Sequence, residues 1–329
     1  MCFFRKIVII LFCVLIIFSP SWSAPSSNIL TKEDYLYDSI FKVETGDLMG
    51  QGYNQLVVLG RDYTDHLISV QVLTWSEGDL TSVWESPNLL KEGLPVMTTG
   101  KPLPTGEEAI IIFTGKCLYL YTYENEKITL ASQIYHSLSP YELSAADLDG
   151  DGIDELLVVR LGKRMDKYDE KVVDVYRLQD EELLKISTSP LLGNIRSITG
   201  GDLDGDGCAE VITESGLSSR AGTINLLRWD QEKEQLVPEF KRERLLPAVV
   251  FGMQVGTFGE GPILYTADGW GRLNFFALAE KNFTSIKKEF PFPKGLVTVA
   301  TGDFNGDGEQ EVAVVGHPNN LYIFSLEAK

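Results

Sequence analysis

Three short segments of the sequence place acidic side chains at alternating positions just before an apolar run. They are AADLDGDGIDELLVV (145–159), GGDLDGDGCAEVITE (200–214) and TGDFNGDGEQEVAVV (301–315). In each loop an Asp or Asn occupies positions one, three and five, a glycine occupies position six, and a Glu occupies position nine. Like charges this close repel one another. Alternating oxygens in a tight loop are typical of a calcium site, because calcium is bound by about six to eight oxygen ligands.

The predicted metal ligands are the side chains at positions one, three, five and nine of the three loops: Asp147, Asp149, Asp151 and Glu155; Asp202, Asp204, Asp206 and Glu210; Asp303, Asn305, Asp307 and Glu311. A backbone carbonyl at position seven, that of Ile153, Cys208 or Glu309, is expected to add one more oxygen. We therefore predict three calcium sites. All ligands of a site come from one loop and no His is close in sequence, whereas a catalytic metal needs a partner acid or base. The predicted role of calcium is structural.

Two other structures use similar residues. An Asp-Gly pair by itself makes a tight turn, but three copies that each keep the Glu at position nine favour metal binding over a simple turn. An EF-hand needs a Glu at position twelve and flanking helices. Position twelve here is Val158, Thr213 or Val314, and the residues that follow are typical of a strand. The EF-hand is excluded.

The acidic loops belong to a longer repeat of about 50 residues. Degenerate copies of the loop occur at 45–60, 99–113 and 255–267, which brings the number of copies to six. Short strand-like runs recur at the same interval, and most are rich in β-branched or aromatic residues. They are VQVLTW (70–75), LYLYTY (118–123), VDVYRL (173–178), INLLRW (224–229), LNFFAL (273–278) and LYIFSL (321–326).

Each repeat is predicted to be a strand, an acidic loop, a second strand, a variable loop, a third strand, a tight turn and a fourth strand. Four antiparallel strands repeated six times indicate an all-β fold, a six-bladed β-propeller. The sixth repeat ends at Lys329, before its fourth strand. We expect the segment around residues 27–36 to supply that strand and close the ring, since closure protects the sheet edges.

These repeats resemble FG-GAP repeats, also called VCBS-type repeats, as found in the propeller of integrin α chains. The segment GDFNGDGEQEVAVVGHP (302–318) carries the strongest match, with Gly-His-Pro where the family has Gly-Ala-Pro. Phe251-Gly252 matches the Phe-Gly half of the motif in the fifth copy. The resemblance covers about residues 36–329. It implies calcium held on one face of a propeller and a role in adhesion or ligand recognition.

The N-terminus is predicted to be a secretory signal peptide. Arg5 and Lys6 precede the apolar run 7–18, and a small-residue stretch then offers a cleavage site after Ser23. The apolar run is too short to span a bilayer comfortably, although a retained membrane anchor is the alternative. We predict a signal peptide at 1–23 and a single propeller domain at 24–329. The mature protein is expected to be secreted or extracytoplasmic, at the cell surface or in the periplasm, without stable membrane insertion.

The composition of the sequence and the absence of common catalytic motifs exclude several classes of function. The 329 residues carry a formal net charge of −18, which excludes a typical nucleic-acid binder because such proteins need a basic face. The sequence contains no Gly-x-Ser-x-Gly, His-Glu-x-x-His, Cys-x-x-Cys or phosphate-binding loop motif, and its histidines are scattered. We expect a ligand-binding or adhesion module. The alternatives are a propeller enzyme acting on polysaccharide and a structural component of a cell-envelope assembly.

One face is expected to be more basic than the rest of the protein. The loops between the second and third strands lie opposite the acidic loops in a propeller, and they are enriched in basic residues. These loops also contain Tyr63, Tyr168 and Trp270. Their basic residues are Arg61, Lys116, Arg160, Lys163, Arg164, Lys167, Lys171, Arg220 and Arg272. This face is a candidate site for an anionic protein or polysaccharide ligand, and the alternative is a set of ordinary solvated loops.

Overall fold

The structure is a computed structural model, and it describes residues 29–33, 36–76, 79–89, 93–164, 169–216, 222–246, 248–258, 261–279, 282–292, 295–317 and 319–325. The predicted signal peptide, residues 1–23, lies outside the described residues. Every helix or strand assigned within the described residues is a β-strand, and these strands form six four-stranded antiparallel sheets. Within this part of the chain, no helix has the length and apolar character needed to cross a membrane.

Each of the first three blades is built from four consecutive strands. Blade 1 consists of β2 (Ser39–Gly46), β3 (Gln55–Asp62), β4 (Leu67–Ser76) and β5 (Asp79–Glu85). Blade 2 consists of β6 (Val96–Gly100), β7 (Ala109–Phe113), β8 (Cys117–Glu124) and β9 (Lys127–Tyr135). Blade 3 consists of β10 (Glu142–Ala146), β11 (Glu155–Arg164), β12 (Asp169–Gln179) and β13 (Glu182–Thr188).

Blades 4 and 5 repeat this order, and blade 6 takes its outer strand from the other end of the chain. Blade 4 consists of β14 (Ile195–Gly201), β15 (Glu210–Ser215), β16 (Gly222–Asp230) and β17 (Gln235–Leu246). Blade 5 consists of β18 (Val250–Phe258), β19 (Gly261–Asp268), β20 (Arg272–Ala279) and β21 (Asn282–Pro291). Blade 6 consists of β22 (Leu296–Gly302), β23 (Glu311–Gly316), β24 (Asn320–Ser325) and β1 (Ile29–Glu33).

The ring is closed by β1, as the sequence predicted. This strand pairs antiparallel with β24, from Ile29 opposite Phe324 to Glu33 opposite Leu321. The first strand of every blade contacts the first strands of both neighbouring blades, so these six strands line the centre of the ring. The chain is therefore an all-β, six-bladed propeller.

The core of the protein lies between blades. Most residues of the second strands are buried, as in β7, where all five residues are buried. They lack the polar alternation of a sheet with one wet face because a neighbouring blade covers each side. Six apolar clusters are found among the described residues, and each joins two adjacent blades. Any feature that fixes one blade against the next therefore also protects this core.

Candidate metal centres

The three acidic loops connect the first strand of a blade to its second strand, and they lie on one face of the ring. In each loop the Asp at position one accepts backbone N–H groups of the same loop. In blade 3, Gly150 N lies 2.7 Å from Asp147 Oδ1 and Gly152 N lies 2.8 Å from Oδ2. Asp202 and Asp303 make the equivalent bonds in blades 4 and 6. The Asp at position one thus fixes the loop conformation.

The glycines at positions four and six make this conformation accessible. In blade 3, Gly150 and Gly152 have φ angles of 78° and 87°, in the left-handed region that other residues rarely adopt. The same two positions have positive φ in blades 4 and 6. The two glycines of the motif are therefore explained by the backbone conformation of the loop, and the acidic residues by their capacity to act as ligands.

The Glu at position nine begins the second strand and is buried. Its Oε2 accepts a backbone N–H from position two, with Leu148 N at 3.0 Å from Glu155, Leu203 N at 2.8 Å from Glu210, and Phe304 N at 2.9 Å from Glu311. Burial is the main cause that raises the pKa of Glu155. Burial, together with the neighbouring carboxylates, raises the pKa of Glu210 and Glu311 to about 7. The remaining oxygen, Oε1, is the one that meets a donor across the loop.

In blade 3 that donor is an arginine. Arg177 lies on β12, and its Nε donates to Glu155 Oε1 at 2.7 Å while its Nη2 donates to Asp149 Oδ2. Asp149 and Glu155 are both predicted metal ligands. The guanidinium thus already supplies one positive charge to this acidic loop.

Blade 4 has the same arrangement, with Arg228 on β16. Its Nη2 lies 2.6 Å from Asp204 Oδ2, and its Nη1 lies 2.7 Å from Glu210 Oε1 and 3.3 Å from Asp206 Oδ2. Its Nε donates to Glu239 on β17. Three of the four predicted side-chain ligands of blade 4 therefore contact one arginine.

Blade 6 differs because Ser325 stands opposite Glu311 in the strand register. The donor to Glu311 Oε1 is the neutral amide of Asn305, whose Nδ2 lies 3.3 Å from this oxygen and 2.8 Å from Asp307 Oδ2. The third loop therefore has the same backbone bonds as the other two but no arginine at the equivalent position.

The donor sets fit a hard divalent cation. Two groups of carboxylates among the described residues have ligand atoms within 4.8 Å of one another: Asp147, Asp149 and Glu155, and Asp202, Asp204 and Asp206. Each group consists of oxygen ligands alone, the chemistry that calcium prefers. The structure thus brings together six of the twelve predicted side-chain ligands at this spacing. The predicted carbonyl ligands of Ile153, Cys208 and Glu309 stay a prediction.

Position eight of the loop is a functional position that sequence reasoning missed. Its side chain accepts the backbone N–H of position one in the preceding blade. The acceptors are Asn54 Oδ1 from Asp303 N at 3.0 Å, Glu108 Oε2 from Asp47 N at 2.9 Å, Asp154 Oδ2 from Lys101 N at 2.7 Å and Gln310 Oε1 from Thr257 N at 3.0 Å. We call this contact the inter-blade latch. The signal in the sequence is the Asp, Glu, Asn or Gln that recurs just before the second strand.

The latch also explains a glycine at the end of the first strand. A Cβ atom on Gly46 would lie 2.3 Å from Glu108 Oε1, and one on Gly100 would lie 2.6 Å from Asp154 Oδ2. In blade 4 position eight is Ala209, which donates only its backbone N–H, to Asp147 O at 2.8 Å. The first strand of the preceding blade correspondingly ends in Ala146 instead of glycine. The acidic loops therefore sit at the junctions between blades.

The face opposite the acidic loops has fewer free basic groups than predicted. Lys167, Tyr168 and Arg220 lie outside the described residues. The prediction that Lys171 belongs to an exposed basic face was wrong: its side chain is buried, and its Nζ donates to Ile195 O at 2.6 Å and lies 4.3 Å from the centre of the Tyr141 ring.

Two further basic residues of this face have acidic partners. Arg160 forms an ion pair with the buried carboxylate of Asp174, and Arg164 Nε lies 3.6 Å from Asp169 Oδ1. Counting basic residues in a loop overestimates the available charge because strand neighbours neutralise part of it.

The candidate thiols and histidines do not come together. Cys117 is buried, Cys208 is half-buried, and neither forms a disulfide. His66 lies in the β3–β4 turn, His136 packs against the Phe113 ring in blade 2, and His317 follows β23 in blade 6.

Comparisons with known proteins agree with the architecture. Residues 147–213, which include the acidic loops of blades 3 and 4, match the model of the FG-GAP-like repeat. The crystal structure of BBS1N in complex with ARL6DN, soaked with lead, is similar with a TM-score of 0.55 and 12% identity, over 92% of this chain and 97% of that chain. The same complex soaked with mercury gives 0.53 and 14%, over 89% and 94%. At these identities the likeness shows the fold alone.

No curated protein matches the sequence. The chain is thus a six-bladed β-propeller in which residues 147–213 match an FG-GAP-like repeat.

Proposed function

We propose that this chain is an exported, calcium-stabilised ligand-binding module that holds an anionic polysaccharide or protein on the face opposite its acidic loops. Calcium bound by the three loops is structural. The signal peptide directs the chain out of the cytoplasm. Outside the cytoplasm, free calcium is high enough to fill loops with dissociation constants of roughly 0.1–1 mM.

The observation that carries the binding role is a set of exposed aromatic rings on this face. Tyr63 is 52% exposed and Trp270 is 63% exposed, each in a turn between a second and a third strand. Phe251, at the start of β18, is 47% exposed and lies beside the turn that contains Trp270. Trp270 and Phe251 lie together in blade 5 and Tyr63 lies in blade 1, and contiguous exposed apolar side chains are typical of binding sites.

Two of these rings carry an arginine. The Arg61 guanidinium lies 4.7 Å from the centre of the Tyr63 ring, and that of Arg272 lies 5.3 Å from the centre of the Trp270 ring. An aromatic ring beside a guanidinium offers both a stacking surface and a positive charge, so it suits a sugar ring or peptide that bears a carboxylate or sulfate. A cavity of about 530 Å³ next to Tyr63, lined also by Phe41, Val297 and His317, adds a concave surface.

The test is a binding screen of the purified mature chain against acidic and neutral polysaccharides and cell-surface extracts. We expect retention of an acidic polymer without its degradation, and at least about tenfold weaker binding by Trp270→Ala and by Arg272→Gln. The control is Leu130→Ala, because Leu130 is 47% exposed but lies in the middle of the outer strand β9, opposite Tyr121 and away from these turns. Equal binding by all variants, or cleavage of the polymer, would contradict the proposal.

A further inference from the structure

We infer that Arg177 and Arg228 are built-in counter-cations that compete with a divalent metal for the acidic loops of blades 3 and 4, so that the loop of blade 6 binds metal most tightly. The inference rests on the proposed calcium role and deepens it, because it ranks the three loops by the cross-strand partner of the Glu at position nine.

The first step is that the arginine and the metal would use the same oxygens. Arg177 contacts Asp149 Oδ2 and Glu155 Oε1, while the other oxygen of Glu155 accepts a backbone N–H. Arg177 therefore occupies the Glu155 oxygen that the loop backbone leaves free. A cation coordinated there would lie next to a fixed positive charge, and the two would repel each other.

The second step is that the arginine is held in place. Arg228 bridges Asp204 and Glu210 in the acidic loop and also pairs with Glu239 on the neighbouring strand. Glu210 is buried and Glu239 is half-buried, and the guanidinium is held between loop carboxylates on one side and Glu239 on the other. A metal must displace this arrangement before it can recruit Glu210.

The third step is that blade 6 offers a natural comparison within the same chain. Its loop keeps the backbone bonds of Asp303 and Glu311, but Ser325 occupies the register position of Arg177 and Arg228. The amide of Asn305 replaces the guanidinium. A neutral amide can turn its oxygen toward a cation, so no charge has to be expelled.

In blades 3 and 4 an arginine of the same blade therefore offsets part of the negative charge of the acidic loop. In blade 6 only an external cation can do so. Without metal, the arginines relieve carboxylate repulsion in two of the three loops. With metal, binding begins at blade 6 and reaches the other two loops only at higher concentration.

The test is calcium titration by isothermal calorimetry on the metal-free mature chain and three variants. Arg177→Met is expected to tighten calcium binding at one site by about tenfold. Ser325→Arg is expected to weaken the tightest site by about tenfold, since it transfers the competing charge to blade 6. The control is Arg164→Met, which removes an exposed charge on the opposite face and should leave every affinity within about twofold.

Thermal melting with and without calcium provides a second test that remains usable if a variant folds poorly. In chelator, Arg177→Met is expected to melt below the wild type, and calcium should then raise its melting temperature by more than it raises that of the wild type. Ser325→Arg keeps all native carboxylates and tests the competition independently.

The outcomes separate the inference from the calcium role itself. If the wild type binds calcium and the isotherms of Arg177→Met and Ser325→Arg match it, the competition is refuted while the calcium role stands. If neither the wild type nor any variant binds calcium, the proposed calcium role and the inference both fail.

Discussion

At the residue scale, one aspartate and two glycines give the acidic loop its shape before any metal is considered. The degenerate loop of blade 1 demonstrates this: Asp47 still accepts Gln51 N at 2.8 Å and Gly52 N at 2.9 Å, although Met49 and Gln51 replace ligand positions. Asp-Gly turn formation and metal binding are therefore compatible functions of one motif. Position one serves the turn, and positions three, five and nine distinguish a metal loop from a degenerate one.

The glycine requirement is directly testable. Gly152→Ala is expected to destabilise the fold by about 1–2 kcal/mol because φ is 87° there, even though no heavy atom lies within 4 Å of the added Cβ. Gly261→Ala is the control, since its surroundings are equally open and its φ is not in the left-handed region. Urea unfolding of both variants gives the comparison. Equal effects on the two would show that backbone strain is not the reason for glycine at position six.

A buried carboxyl outside the loops predicts a pH dependence. Burial raises the pKa of Glu214 from 4.5 to about 7, against the opposing charge of Arg196. The native state therefore holds a proton that the unfolded chain releases, and this contribution to stability is lost as pH rises from about 4.5 to about 7.

The variant Glu214→Gln removes that dependence. It is expected to be more stable than the wild type at pH 8, on the order of 2–3 kcal/mol, and about equal to it at pH 4.5. Urea unfolding at both pH values measures the difference, in which the titration of all other groups cancels. A difference that does not change with pH would be evidence that Glu214 titrates normally.

Sequence spacing alone identified the ligand candidates of the three loops but not their arginine partners. Arg177 is 22 residues from Glu155, and the two meet only because β11 and β12 pair with Leu156 opposite Tyr176. Such a contact depends on strand register, which a loop motif does not encode.

At the element scale, the inter-blade latch couples neighbouring sheets. Each latch joins position eight of one blade to position one of the preceding blade. In the latches of Glu108, Asp154 and Asn54, a glycine at the end of the first strand leaves room for the side chain. The latch was not predicted from the sequence because its two halves lie about one repeat apart, and their relation appears only when blades stack side by side.

A double-mutant cycle tests the latch between blades 1 and 2. Gly46→Ala is expected to destabilise by about 1–3 kcal/mol, because the added Cβ would lie 2.3 Å from Glu108 Oε1. Once Glu108→Ala has removed the obstructing carboxylate, the same change should be much milder. The double variant should therefore be more stable than the sum of the single effects predicts, by at least about 1 kcal/mol.

The control for this cycle combines Gly46→Ala with Asp154→Ala, which belongs to the latch between blades 2 and 3. These two effects are expected to add within about 0.5 kcal/mol. Additivity in both pairs would mean that the requirement for glycine at position 46 has a cause unrelated to Glu108.

At the scale of the whole molecule, the repeat period predicted the number of blades and the closing strand. The period is a global property, so it survives the decay of individual loops in blades 1, 2 and 5. The ligand surface could not be predicted equally well, because exposure depends on which charges pair across strands, as with Arg160 and Asp174.

Ring closure by β1 makes the N-terminal segment essential to the propeller. A chain that begins at Leu36 leaves β24 as an open edge, whereas one that begins at Ile29 keeps the pairing. We expect the shorter chain to melt at a lower temperature and to self-associate through the exposed edge. Differential scanning calorimetry and light scattering on the two chains measure this. Identical melting and mass would contradict closure by β1.

The acidic loops of blades 3 and 6 also contact the next blade, through Asp147 O with Ala209 N and through Asp303 N with Asn54 Oδ1, so a cation bound in these loops would also stabilise the junctions between blades. The most direct measurement is the free energy of unfolding of the mature chain in chelator and in about 1 mM calcium, with magnesium as the control cation. We expect a calcium-specific gain of about 1.4 kcal/mol for each loop that binds at the tight end of the expected range. Equal stability in chelator and calcium would contradict it.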